Sequence, residues 1–235
     1  MEGSMTVNST LHPRGVNHLA ISTSDMKSQL TFWTEVLGCP LKALYWMHGV
    51  KGCFHGFVEL AGDSYIAFVQ HPENPTDVQV GVTHAGNPGG KVTHGAMQHL
   101  ALHVDSLDEL YAMRDRIRSH DVHVLGPIDH GFIQSIYFAG PEGMTLEVCC
   151  GHDIDEKAWI DPEVVELCGI DADELESMVA PEVFTSSKTP VPQPHIHDAE
   201  GPRMAYPPEA YERLMTLPDD VVWKQMSETT PPVVA

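Results

Sequence analysis

Between residues 15 and 151 the chain passes twice through the same succession of periodicities. His18 to Ser22 alternates as a half-buried strand does, and Ser24 to Leu37 carries Met26, Leu30, Trp33 and Leu37 at helical spacing before Gly38. Strand-like runs follow at Leu41–Met47, Gly52–Leu60 and Tyr65–Gln70. The order then returns with a strand at Gln98–Val104 and a helix opened by Ser106-Leu107-Asp108-Glu109, which has the form of a capping box. Leu107, Leu110, Tyr111 and Ile117 are its expected buried face. Strands at His123–Leu125, Gln134–Ala139 and Met144–Cys149 complete the second round, with Gly140-Pro141-Glu142-Gly143 as a hairpin turn. The pattern predicts an α+β fold of paired βαβββ modules, about 15–73 and 96–151, offset by 81 residues (99 − 18).

Outside the modules the pattern weakens. Residues 1–14 lack periodicity and are expected to be a flexible start. Asn74 to Gly95 is rich in Gly, Pro, Asn and His, which suits either a connector or a loop over a site. Residues 152–235 read as a mostly helical and irregular, Pro-rich extension, with helices expected at Asp161–Cys168, Asp171–Val179 and Pro208–Leu217. Trp159, Tyr206, Tyr211 and Trp223 are its candidates for packing on the core or on a neighbouring subunit, the alternative being a mostly disordered tail.

Charge narrows the partners. The net charge of −20 is split as 18 acidic against 5 basic residues in 152–235 (−13) and 15 against 8 in 1–151 (−7). Nucleic acid and anionic membranes are poor partners for such a surface. With no long apolar run and no leader pattern, the cytoplasm is the expected compartment. Cys39, Cys53, Cys149, Cys150 and Cys168 form no CxxC pair and are expected as reduced thiols.

The two rounds share a phrase, Val16-Asn17-His18-Leu19-Ala20-Ile21 and Met97-Gln98-His99-Leu100-Ala101-Leu102. Strand parity puts His18 and Ala20, like His99 and Ala101, on the face away from the helices. Glu147 with Thr145 and Cys149, and Tyr137 with Ser135, fall on that face too. A carboxylate in the middle of an apolar strand calls for a cation, so His18, His99 and Glu147 are a candidate metal site.

These features resemble the vicinal oxygen chelate superfamily, whose paired βαβββ modules form a cupped sheet around one metal. The resemblance covers residues 15–151 and implies His18, His99 and Glu147 as a two-His-one-carboxylate triad. The fourth ligand of glyoxalase I-type members would fall near Ala67, which supplies no carboxylate. The segment Ile128 to Gly143 followed by Glu147 is similar to the signature of type I extradiol ring-cleavage dioxygenases: it shares His130, Tyr137 and the Pro-x-Gly turn. Gly140 departs from that signature.

By this resemblance the chain is expected to use Fe(II), with Mn(II) or Zn(II) as alternatives, to cleave the ring of a catechol-like aromatic with O2. Tyr137 would hydrogen-bond the substrate, His130 would move a proton, and a further acid–base histidine would be His94 or His84. Phe132, Phe54, Tyr45, Trp46 and Met47 are candidates for an apolar mouth, and His195-Ile196-His197 is a weaker metal candidate. A homo-oligomer is the expected assembly. The alternative functions are a non-redox isomerase, lyase or thiol transferase of the same superfamily, and a metal-free drug-binding protein.

Overall fold

In the computed structural model, which describes residues 11–151, 153–185, 189–198 and 200–233, the repeated periodicity becomes two four-stranded sheets. The first contains β1 (His18–Ser22), β2 (Leu41–Trp46), β3 (Phe54–Ala61) and β4 (Ser64–Gln70), in the order β1-β4-β3-β2. The second repeats it with β5 (Leu100–His103), β6 (Val124–Asp129), β7 (Gln134–Ala139) and β8 (Thr145–Cys150), in the order β5-β8-β7-β6. In each sheet the first strand runs parallel to the last and the remaining pairs are antiparallel. These are two βαβββ modules, as the periodicity predicts. Most of the expected flexible start, residues 1–10, lies outside the described residues.

Each module's helix follows its first strand. α1 (Met26–Thr31) is capped by Asp25, whose carboxylate accepts from Ser28 N–H at 3.0 Å, and continues as a π-helical turn at Phe32–Val36. α2 (Leu107–Ser119) opens on Ser106, which accepts from Glu109 N–H at 3.2 Å. The reciprocal half of the expected capping box is displaced by one residue. Glu109 accepts from Asp105 N–H at 2.9 Å, a donor left free just past the end of β5. The buried stripe of α2 is Leu110 and Ile117 alone, whereas Leu107 (41%) and Tyr111 (38%) are exposed at its flanks. Tyr111 lies beneath the Arg114 guanidinium instead.

One hydrophobic core joins the modules. Trp33, Val58, Ile66 and Phe68 from the first pack in the same cluster as Leu110, Ile117, Ile136, Leu146 and Val148 from the second. Phe32 stacks on Phe138 at 6.5 Å, and Arg116 of α2 donates to the Val36 and Glu35 carbonyls, each at 2.8 Å. The apolar sides of both sheets are therefore turned toward this shared core, while β7 and β8 are buried on their opposite side as well.

A single carboxylate ties the turn between β7 and β8 to the start of α1. Glu142 sits in the left-handed region at φ 55°, and accepts from Thr23 Oγ1 (2.6 Å), Ser24 N (2.7 Å), Ser24 Oγ (2.5 Å) and Gln29 Nε2 (2.7 Å). Partial burial pushes its pKa up, but the hydrogen bonds from Ser24, Thr23 and Gln29 outweigh burial and leave it below the ordinary glutamate value.

Beyond β8, α3 (Glu156–Trp159), α4 (Pro162–Leu167) and α5 (Ala172–Val179) are each capped by an aspartate and belong with the sheets to a unit spanning Pro13–Ala180. The described residues from Pro181 onward belong to a second unit, with α6 (Pro208–Met215) and α7 (Asp219–Met226). α3 and α7 are not among the expected helices; the four residues of α3 are too few to establish a period. Among the described residues no helix is long and apolar enough to cross a membrane.

Glu142→Gln removes the charge and one acceptor, and is expected to cost about 1–2 kcal/mol of unfolding free energy at neutral pH. Because the folded-state pKa is depressed, the contribution is complete above the ordinary glutamate pKa and is lost as pH falls through the folded value. Urea denaturation of both proteins should show curves that converge in acid. A gap independent of pH would place the effect somewhere other than the charge.

Candidate metal centre

Register assembles the centre on the side of the second sheet opposite the shared core. Glu147 of β8 pairs with Ala101 of β5 on one side and Tyr137 of β7 on the other, so these three side chains lie in one row across the sheet. Glu147 is only 2% exposed. Its Oε2 lies 3.0 Å from His99 Nε2, while its Oε1 is buried without a hydrogen-bond partner. A buried carboxylate with an unmet oxygen is costly unless a cation meets it.

The other nitrogen of His99 is already committed. Its Nδ1 faces the Gln98 side-chain oxygen Oε1, which only accepts, so Nδ1 carries the hydrogen of that bond. Nε2 then meets the carboxylate as one lone pair against another unless a proton or metal stands between them. Donor set, geometry and unmet oxygen together fit a divalent cation held by His99 Nε2 and Glu147.

Beside this pair, Tyr137 is 9% exposed and its hydroxyl is hydrogen-bonded to His130 Nε2 at 3.0 Å. Burial raises the Tyr137 phenol above its ordinary pKa, and the Glu147 charge adds to the rise, so the hydroxyl keeps its proton at neutral pH. Burial and the same carboxylate also raise the Cys149 thiol, which stays protonated on this face.

His130 is brought over the sheet by a tight turn. Asp129 accepts from Gly131 N–H at 2.8 Å and from Gln134 Nε2 at 3.1 Å, and His130 N–H donates to the Ile133 carbonyl at 2.8 Å. Gly131 has φ +92°, and a Cβ there would stand 2.7 Å from the Trp159 ring. Trp159 of α3 also packs edge-on against Phe132 at 4.7 Å, so the extension reaches the loop that holds His130.

His18 is on the outward face of the other sheet. Its Nδ1 is bonded to Asn17 Oδ1 at 2.9 Å, and its ring meets Phe57 edge-on at 5.6 Å. Phe57 in turn stacks with Tyr45 and lies 4.4 Å from His55. His55 has its Nε2 buried without a partner, and burial followed by the neighbouring His18 lowers its pKa. Among the described residues no three His, Cys, Asp or Glu side chains gather around one point as a metal set. One chain thus brings together His99, Glu147, Tyr137 and His130, and holds His18 apart from them.

Pairing identifies the duplicate of the glutamate position. Ala20 pairs with Ala67 in the first sheet as Ala101 pairs with Glu147 in the second, so Ala67 stands where a fourth ligand would be. Glu59, one strand over, is engaged by Lys42 at 2.8 Å. His94 lies exposed in the turn at 93–96, and His84 is bonded to Thr83 Oγ1 at 2.8 Å. His195 and His197 are 5.5 Å apart in the second unit, with His195 beside Asp198.

The aromatic residues expected at a mouth are dispersed. Tyr45 shares the face of His18, Trp46 and Phe54 meet each other edge-on at 5.6 Å, Met47 contacts Cys53, and Phe132 is under Trp159. Asn17, Gln98, His55 and Phe57 escape a reading by single residue types. For Asn17 and Gln98 a signal was present, since the amide preceding the histidine is part of the repeated phrase.

The chain belongs to the Glyoxalase/Bleomycin resistance protein/Dioxygenase superfamily, which it matches over residues 15–148, more than half of its length. This is the vicinal oxygen chelate group that the sequence resembles. Similar solved structures include a glyoxylase/bleomycin resistance protein/dioxygenase domain from Frankia sp. EAN1pec, 18% identical, covering 60% of this chain and 100% of that one with a TM-score of 0.49. TnmS3, an antibiotic binding protein from Streptomyces sp. CB03234, is 22% identical over 60% and 99% of the two chains, with a TM-score of 0.43. The fosfomycin resistance protein FosX from Listeria monocytogenes is 17% identical over 60% and 96%, with a TM-score of 0.42.

Spectrophotometric titration tests the electrostatics around Tyr137. The difference between wild type and Tyr137→Phe should be a phenol ionising above the ordinary value of about 10. A missing component at or below that value would remove the argument from burial.

Proposed function

We propose that the chain is a metal-dependent enzyme whose centre is built on His99 and Glu147, and that its reaction is extradiol-type ring cleavage of a catechol-like aromatic by O2. The observation that carries this reading is the His130–Tyr137 hydrogen bond of 3.0 Å beside the His99–Glu147 pair on one sheet face. It provides a protonated hydroxyl next to the metal position, with an imidazole behind it. A divalent ion bound there supplies Lewis acidity toward neighbouring substrate oxygens and, as Fe(II), electron transfer to O2.

The protein's own groups have separable tasks. Glu147 and His99 hold the ion, and the neutral Tyr137 hydroxyl donates to a substrate oxygen. His130, on an exposed loop, passes a proton between that hydroxyl and the outside. The packing of Trp159 on Phe132 keeps the loop in place for this exchange.

We further infer that His18 joins the centre from a second copy of the chain. β1 and β5 are both outer strands of their sheets, and each has an open edge. A twofold contact that sets β1 of one copy beside β5 of the other occurs twice by symmetry, and faces the His18 side of one sheet toward His99 and Glu147 of the other. The Asn17 bond leaves His18 Nε2 available for the same ion.

Anaerobic metal loading followed by O2 uptake against a panel of catechols tests the reaction. Iron retention, uptake and a yellow ring-fission product are expected. Turnover of a thiol adduct, an epoxide or a carbon acid without O2 would instead assign a non-redox reaction. Glu147→Ala is expected to lose metal retention, and unchanged metal content would refute the ligand assignment.

Shared assembly is tested by complementation. His18→Ala and Glu147→Ala chains are each expected to be inactive, while their mixture should recover about a quarter of the sites by statistical pairing. No recovery in a mixture shown to exchange subunits would confine the centre to one chain.

A further inference from the structure

The segment between the modules is connected to the centre through one side chain. Gln98 Nε2 donates to the carbonyls of Pro88 (2.8 Å), Gly90 (3.1 Å) and Asn87 (3.4 Å). Carbonyl oxygens only accept, so they admit the NH2 end of the amide and reject its oxygen. The amide has one permitted orientation, and in it Oε1 faces His99 Nδ1.

The loop that makes this selection is tightly built. Gly90 N–H donates to the Asn87 carbonyl at 3.0 Å, Asn87 Oδ1 accepts from Gly89 N–H at 3.0 Å, and Ala85 is buried at 3% exposure. A Cβ on Gly90 would stand 2.1 Å from the Ala85 carbonyl oxygen, so a side chain at that position must displace the loop. Consecutive residues within a strand point to opposite faces, but Gln98 and His99 precede the first residue of β5, which lets their side chains meet.

We propose that Gln98 is a positioning residue that commits His99 to hold its proton on Nδ1 and to bind metal through Nε2, with the loop at 87–90 fixing the amide that makes the choice. This rests on the metal reading given above. The consequence for chemistry is a fixed donor atom: the nitrogen facing Glu147 is a lone pair, and the ring is prevented from turning its protonated nitrogen toward the ion.

The first module contains the same device without the anchor. Asn17 Oδ1 takes His18 Nδ1 at 2.9 Å, but among the described residues no carbonyl fixes the Asn17 amide nitrogen. Amide and histidine recur together in both copies of the phrase, so the arrangement at His99 is one half of a duplicated pair with a loop added.

The test uses the full chain, uniformly 15N-labelled and loaded with Zn(II). Long-range 1H–15N correlation reads which nitrogen of His99 holds hydrogen, and calorimetric titration with Zn(II) reads affinity. Wild type is expected to show Nδ1–H and metal on Nε2. Gln98→Met should lower Zn(II) affinity about 10- to 100-fold, the range seen when the hydrogen-bond partner of a metal-ligating histidine is removed. Gly90→Ala leaves Gln98 and His99 in place but moves the anchor, and should shift affinity in the same direction by a smaller factor.

Metal on Nδ1 in the wild type, or unchanged affinity in both Gln98→Met and Gly90→Ala, overturns the proposal. Metal-free Glu147→Gln protein, where no carboxylate faces Nε2, separates it from the metal reading. There His99 is expected as Nδ1–H with Gln98 present and as a mixture of both tautomers with Gln98→Met added, whether or not wild type binds Zn(II). The same tautomer in both proteins overturns the role of Gln98.

Discussion

The shared core between the two sheets is the constraint from which the other features follow. Trp33, Phe68, Leu110, Ile117, Ile136 and Leu146 are buried together, so the apolar side of each sheet has its direction decided by its own helix and by the other module. The polar groups are left to the opposite side of each sheet. Strand pairing then sets which polar groups meet, and the ladder through Ala101, Glu147 and Tyr137 places a carboxylate beside a phenol with a small alanine on its other flank. Removing that carboxylate from water is tolerable only with a cation or proton close by, which connects the packing of the core to the chemistry of the face.

The duplicated modules have become unequal at particular positions. Glu147 and Ala67 occupy corresponding rungs, and Tyr137 has Phe57 as its counterpart across the corresponding ladder. One face thus carries a carboxylate and a hydroxyl, and the other an aromatic cluster around Phe57 with His18 and His55 at its sides. What remains common is the amide–histidine pair, retained at the entrance to the first strand of both modules.

Most of the architecture was readable because it depends on short-range periodicity. The two rounds of strand and helix, the parity that put His18, His99 and Glu147 on the polar side, and the turn at 140–143 all follow from spacing along the chain. Relations between distant segments were not readable. Nothing in the run of residues shows that the two modules share one core, because that depends on how Phe32 meets Phe138 and how Arg116 meets the Val36 carbonyl. The second half of the α2 capping box failed for a local reason, the competing free N–H of Asp105. Glu142 looked like an ordinary turn residue, and its partners are more than a hundred residues away. Gln98 illustrates the same limit, since its importance comes from carbonyl groups that carry no side-chain signal at all.

Trp159 changes where the working domain ends. The match to the superfamily stops at residue 148, eleven positions before this indole (159 − 148), yet the indole lies against Phe132 and over the α-carbon of Gly131. A fragment trimmed to the family boundary would strip the cover from a left-handed glycine and an aromatic ring, and set loose the loop that carries His130. For expression, crystallisation or grafting of this fold, the natural unit therefore extends to about Ala180, where the compact body itself ends.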